Sequence, residues 1–135
     1  MTSSSPTVTV APTDAGACAL LLARVQRVTT ALATASELIA HSLNKQQLSQ
    51  RIAVERVQLQ RSARLLTGGP IPQPLDGADR QLVLGLNAFS ADFARAEKPA
   101  LRGDFQAAVQ AMGDTTVVQQ ILAATKSIEN ACRGA

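Results

Sequence analysis

From Ala17 to Thr67 the chain contains neither glycine nor proline. The stretch is rich in Ala, Leu, Gln and Arg, residues that lose little on entering a helix. In its first half, Cys18, Leu21, Val25, Val28, Leu32, Ala35 and Ile39 recur at alternating spacings of three and four. That is the seam of an amphipathic helix sustained over three heptads. Asp14 stands where an N-cap belongs.

The seam does not continue unchanged. The second half carries its apolar residues at Leu48, Ile52, Leu59, Ala63 and Leu66, whereas the first phase would place them at Gln46, Ser49, Arg56 and Gln60. The phase slips between about His41 and Lys45. The simplest cause is a turn at His41-Ser42-Leu43-Asn44, with Asn44 taking a left-handed conformation. The alternative is one helix of ~50 residues, about 75 Å long.

Gly68-Gly69-Pro70-Ile71-Pro72-Gln73-Pro74 ends the second helix. Asp76 is expected to cap the third, where Leu82, Leu86, Phe89, Phe93 and Ala96 repeat the four-three pattern. Lys98-Pro99 and Gly103 are expected to end it. Asp104 is expected to cap the next segment, with Phe105, Ala108 and Met112 inward. Gly113-Asp114 interrupts, and Val118, Ile121, Thr125, Ile128 and Cys132 resume one residue out of phase. The last helix is therefore kinked at Gly113 or split, with Asp114 recapping. Four amphipathic helices with short connections predict an all-α, antiparallel, up-down-up-down four-helix bundle. One domain over residues 14–135 is expected, preceded by a Ser/Thr/Pro linker over residues 1–13.

In that topology the start of helix 1 and the end of helix 4 share one end of the bundle. Cys18 and Cys132 both fall in the inward register there, so a disulfide between them is expected. Closing a loop of this length is worth ~4–5 kcal/mol in the chain-entropy model. Two cysteines bracketing a domain suit an oxidising compartment; two separate buried thiols are the alternative. Residues 1–13 lack the basic start and apolar run of a signal peptide. The expectation is that an export signal or membrane anchor once preceded the linker. No stretch approaches the ~18 apolar residues of a membrane span.

Composition narrows function by exclusion. The 135 residues include one His, two Cys, three Phe and no Tyr or Trp. No Cys/His set builds a zinc site, and one histidine leaves most catalytic triads incomplete. Without stacking aromatics, and with a formal net charge of only +3, nucleic acid is not an expected partner. There is no phosphate-binding glycine loop and no serine in a nucleophile elbow. An enzyme is not expected, and no cofactor or metal is implied. Glu37 and His41 share a helix face at a spacing of four, but the further ligands of a di-iron bundle are missing.

What remains is helix 2. Between Lys45 and Arg64 it holds five basic residues and one acid, Glu55. Its outer face carries Arg61 and Arg64 beside Val54, Val57 and Leu65. A mixed basic and apolar face marks a docking surface for an anionic membrane or an acidic partner. Glu55 falls on the edge of the core stripe, either as a ligand contact or paired with Arg51 four residues earlier.

The Thr2–Thr13 tract, the Ala/Arg/Val-rich helices and the bracketing Cys18 and Cys132 together resemble small secreted proteins and lipoproteins of actinobacteria, mycobacterial ones included. In lipoproteins of that type the linker follows a lipidated cysteine, which this chain lacks. The resemblance implies a cell-envelope location and transfers no active residues. Leu48-Ser49-Gln50-Arg51-Ile52 also resembles the Leu-Ser-Gln-Arg segment of helical ectodomains in bacterial nitrate- and pilus-associated sensors. That family's preceding Gly-Arg-Gln-Arg-Met is absent. The expected function is thus a non-enzymatic extracytoplasmic bundle that binds an envelope protein or an apolar or anionic, lipid-like ligand. It would act through Val54, Val57, Arg61, Arg64 and Leu65 or through a cleft between helices. The alternative is a ligand-sensing ectodomain of a membrane receptor.

Overall fold

A computed structural model describes residues 9–133. It contains five α-helices, α1 (Ala15–Ala40), α2 (Lys45–Thr67), α3 (Asp76–Leu101), α4 (Phe105–Met112) and α5 (Thr115–Arg133), and no strand among the described residues. The count is five rather than four because the last expected helix is split. Asp114 Oδ1 accepts from Thr116 N at 3.0 Å and Val117 N at 3.4 Å. It thereby starts a new helix after the break at Gly113. Asp104 does the same for α4, accepting from Ala107 N at 3.1 Å.

The phase slip is a turn, and α1 and α2 are separate helices. Its mechanism differs from the expected one. Asn44 is not left-handed; its φ is −156°, and its side chain accepts from Gln47 N at 2.8 Å as the N-cap of α2. Gln47 Oε1 in return accepts from Leu43 N at 2.9 Å. This reciprocal pairing satisfies one orphan donor of the first turn and fixes the entering chain.

Three boundary residues act otherwise than their types suggest. Asp14 precedes α1, but its side chain makes no capping bond. Asp76 is the first residue of α3 rather than its cap, because Gln73–Leu75 forms a 3-10 turn that leads in. It pairs with Arg80 one turn on. Pro99 does not end α3, which runs on to Leu101. Proline has no donor for the carbonyl four residues back and its ring crowds that carbonyl, yet the helix continues two residues past it, and the Pro99 carbonyl accepts from Asp104 N at 2.9 Å. Gly103, with φ +79°, makes the reversal.

Helix α3 is the centre of packing. α2, α4 and α5 all lie against it, and α1 touches α2 and α5. The neighbours α1–α2–α3–α5–α1 form a closed ring, with α4 outside it on α3. Side-chain hydrogen bonds tie the helices together. Arg24 near the start of α1 donates to Gly68 O and Pro70 O just past the end of α2, at 3.4 and 3.0 Å. Ser90 Oγ of α3 donates to Arg56 O of α2 at 3.0 Å, and Gln120 of α5 reaches Gln81 of α3 at 3.0 Å. Gly85 lets α5 approach α3 closely: a Cβ there would meet Ile121 Cγ1 at 2.8 Å.

The core contains Leu21, Val25, Val28, Ile52, Leu59, Leu66, Leu75, Leu82, Leu86 and Ile128, all buried. Burying each large aliphatic side chain stabilises the fold by ~1.5–3 kcal/mol. Val10, in the expected linker, is buried with them, and Pro12–Asp14 forms a 3-10 turn. Residues 1–8 of that linker lie outside the described residues. Cys18 and Cys132 are both buried, with Cα atoms 5.3 Å apart and sulfurs within disulfide distance. The ends of the domain therefore meet as expected.

The seam of α1 is not buried evenly. Cys18, Leu21, Val25 and Val28 are enclosed, but Leu32, Ala35 and Ile39 are only half-buried. The second half of α1 lies less deeply against the rest of the molecule, and both clefts described below open beside it.

Candidate functional site

The six residues singled out on α2 divide into two groups. At 100° per residue, Val54, Val57, Arg61, Arg64 and Leu65 share the side opposite the core stripe. Val54, Arg61 and Arg64 are exposed there, with Val57 and Leu65 half-buried. Among the described residues neither Arg61 nor Arg64 makes an ion pair. Arg56 is held by Glu97 at 3.2 Å.

Glu55 is not on that face and not at the edge of the stripe. It is a core-stripe residue, 6% exposed. The expected pair with Arg51 is absent, because Arg51 Nη1 turns to the Leu38 carbonyl of α1. The reason is geometric: Glu55 lies three residues after Ile52 and four before Leu59, the position an apolar residue would take. It is only about 20° around the helix from Leu48 and Leu66.

With no basic neighbour acting on it, burial pushes the Glu55 carboxyl up to about 7. The residue forms part of the wall of a cleft of about 330 Å³ between the second half of α1 and the first half of α2. Ala35 and Leu38 line it from α1, and Gln47, Gln50, Arg51 and Val54 from α2. On the other side of α1 a second cleft, of about 250 Å³, is formed by Leu32, Ala33, Phe89, Val118 and Leu122 among others. Its walls are apolar and it holds no ionisable group.

Two further buried acids escaped the sequence reading. Asp79 continues the α3 seam three residues before Leu82, and Asp92 precedes Phe93. Burial raises the Asp79 carboxyl to about 6, against the pull of Arg24 and with a smaller push from Asp76. Asp92 is raised mainly by burial, opposed by Arg95, with which it pairs, and reinforced by Asp114. Asp79 Oδ1, Asp92 Oδ2 and Thr125 Oγ1 are buried without a hydrogen-bond partner. Asp79 and Asp92 lie on α3 and Thr125 on α5.

The remaining candidates have local roles. His41 Nδ1 lies 2.7 Å from the backbone oxygen of Glu37, and both residues are exposed. No group of three or more His, Cys, Asp or Glu that could hold a metal ion is present among the described residues. Phe105 does not point inward; it is 51% exposed, and Leu101 and Val109 are exposed as well. In this eight-residue helix Ala108 is buried as expected, and Met112 is half-buried. Phe89 and Phe93 pack edge to face, ring centres 4.8 Å apart.

No protein-family model, curated protein or solved structure matches this chain. Among the described residues, no helix is long and apolar enough to cross a membrane. What the fold defines is an all-helical protein whose terminal helices are joined by a cysteine pair.

Proposed function

We propose that this is a non-enzymatic, extracytoplasmic binding protein of the cell envelope, built as an up-down-up-down bundle with a split last helix. In this reading its outer α2 face docks on an anionic lipid surface. The packing of α2 and α5 on α3 and of α1 on α2 and α5 supports the topology, and the paired cysteines support an oxidising location. One observation carries the docking face. Arg61 and Arg64 are exposed beside Val54, and the only acid of α2 is withdrawn into the core. The face is therefore basic without internal compensation, with an apolar residue to seat at the headgroup boundary.

A basic residue near an anionic membrane contributes ~1 kcal/mol. Reversing both charges in Arg61→Glu/Arg64→Glu should weaken binding by more than about tenfold. Cosedimentation of the oxidised protein with phosphatidylglycerol and phosphatidylcholine vesicles tests this. Salt-sensitive binding to the former alone, lost in the double variant, is the expected result. Failure to bind phosphatidylglycerol, or equal binding by the variant, sinks the membrane reading and leaves an acidic protein as the partner to seek. A ligand-sensing ectodomain is the second reading, favoured by the clefts beside the looser half of α1. In it, ligand entry would shift the bundle between two packings.

A further inference from the structure

We propose that the cleft between α1 and α2 is a binding site for a small organic cation, an alkylammonium whose charged head pairs with Glu55. The inference does not rest on the outer face of α2, and a failure of either leaves the other standing.

Three observations converge. The cleft has a volume of about 330 Å³, at the small end of ligand pockets. Its walls are largely apolar: Ala35 and Leu38 on one side, Val54 on the other. Within this lining Glu55 is more than nine-tenths buried, and no described hydrogen bond or ion pair reaches its carboxylate. A carboxylate serving only the fold is normally bonded when buried. One left open along a cleft wall has acceptor capacity for a group that comes from outside.

The sign of that group follows from the charges around it. Arg51 is the one cation in the lining, and its guanidinium is engaged by the Leu38 carbonyl. Its charge does not figure among the influences on Glu55, for which burial is the cause. The titratable residues on the cleft half of α1 and at its end are Glu37 and His41, both exposed and neither in the lining. On α3, which packs against α2, Glu97 is paired with Arg56 and Asp92 with Arg95, and Lys98 is exposed. Glu55 thus has no counter-ion of its own. A ligand N–H⁺ supplies one, and a hydrogen bond between an ammonium and a carboxylate is stronger than one between neutral groups. A short alkyl chain lies along Ala35, Leu38 and Val54. The exposed Gln50 amide stands at the mouth as a further polar contact.

Because burial raises the carboxyl to about 7, an incoming ammonium must displace its proton at neutral pH. Binding therefore strengthens about tenfold between pH 6 and pH 8, while the alkylammonium stays charged throughout. The test is isothermal titration calorimetry of the oxidised protein with hexylammonium, 1-hexanol and hexanoate. Saturable binding of hexylammonium, tenfold tighter at pH 8 than at pH 6, with hexanol and hexanoate at least tenfold weaker, is expected. Glu55→Gln should remove the pH dependence and most of the affinity. Ala35→Leu, which keeps the carboxyl but fills the cleft, should also abolish binding and guards against a folding effect of the first variant. No saturable binding, equal binding of hexanol, or unchanged affinity in either variant overturns the proposal.

Discussion

Replacing Glu55 by glutamine should stabilise the protein at neutral and alkaline pH and leave it unchanged in acid. The carboxyl is raised from 4.5 to about 7 because folding takes it out of water with no cation in return. The folded state therefore holds its proton more tightly than the unfolded chain. Below 4.5 both states are protonated and the group costs nothing extra. As pH rises from 4.5 to about 7 the unfolded state ionises first, and native stability falls; above 7 the loss is complete. The full shift corresponds to ~3 kcal/mol. Water entering the cleft screens part of it, so we expect ~2 kcal/mol. The neutral amide of Glu55→Gln has no such penalty and opens onto the same cleft. Urea unfolding followed by circular dichroism, with the cysteines oxidised, gives the comparison from pH 4 to pH 8.5. Asp79 and Asp92 titrate with the same sign, but they cancel in the difference between wild type and variant. The expected difference is near zero at pH 4 and ~2 kcal/mol in favour of the variant at pH 8. A difference independent of pH, or a variant less stable at pH 8, means that Glu55 has a partner when folded and refutes the reasoning.

Three other perturbations report on the frame. Cys18→Ala/Cys132→Ala should cost ~4 kcal/mol, since the pair closes a loop across a sequence separation of 114; thermal unfolding of oxidised and reduced wild type against the variant measures it. Gly85→Ala should destabilise by ~1 kcal/mol despite better helix propensity, because its methyl would press on Ile121. Denaturant unfolding checks the sign. Asp114→Ala should cost ~1 kcal/mol by removing the cap of α5, with loss of amide protection confined to residues near Thr116 and Val117 in hydrogen exchange.

The sequence made helices legible where two signals coincided. The break between α1 and α2 shows as a phase slip, and the split at Gly113 as a glycine followed by a capping aspartate. The meeting of Cys18 and Cys132 follows from register and topology together. It was less informative where one residue type can act in several ways. Asn44 suits a left-handed turn and an N-cap equally, and the choice falls to Gln47, which completes the reciprocal bond. Pro99 reads as a stop, yet α3 runs two residues past it. In α4, eight largely apolar residues do not define a face, so the pattern does not tell that Phe105 is exposed.

For the candidate site, the outer face of α2 was readable because helical periodicity alone sets it. The place of Glu55 was readable in principle: of residues 55 and 56, which both fit three-four spacing between Ile52 and Leu59, residue 55 lies closer in angle to the rest of the stripe. Its polar type, not its position, suggested the edge. That its carboxyl adjoins a cleft was not readable. The cleft exists because Leu32, Ala35 and Ile39 are less enclosed than the first half of the same seam, and that depends on how α1 lies against α2 and α5.

The proposed envelope location rests on the pairing of Cys18 with Cys132. Intact-mass spectrometry of the protein isolated from its own host, with free thiols alkylated before any reduction, tests it most directly. The account predicts no alkylation at first, and two alkylated cysteines after reduction in denaturant. Alkylation of both Cys18 and Cys132 without reduction, in denatured protein, would contradict it and remove the ground for an extracytoplasmic location.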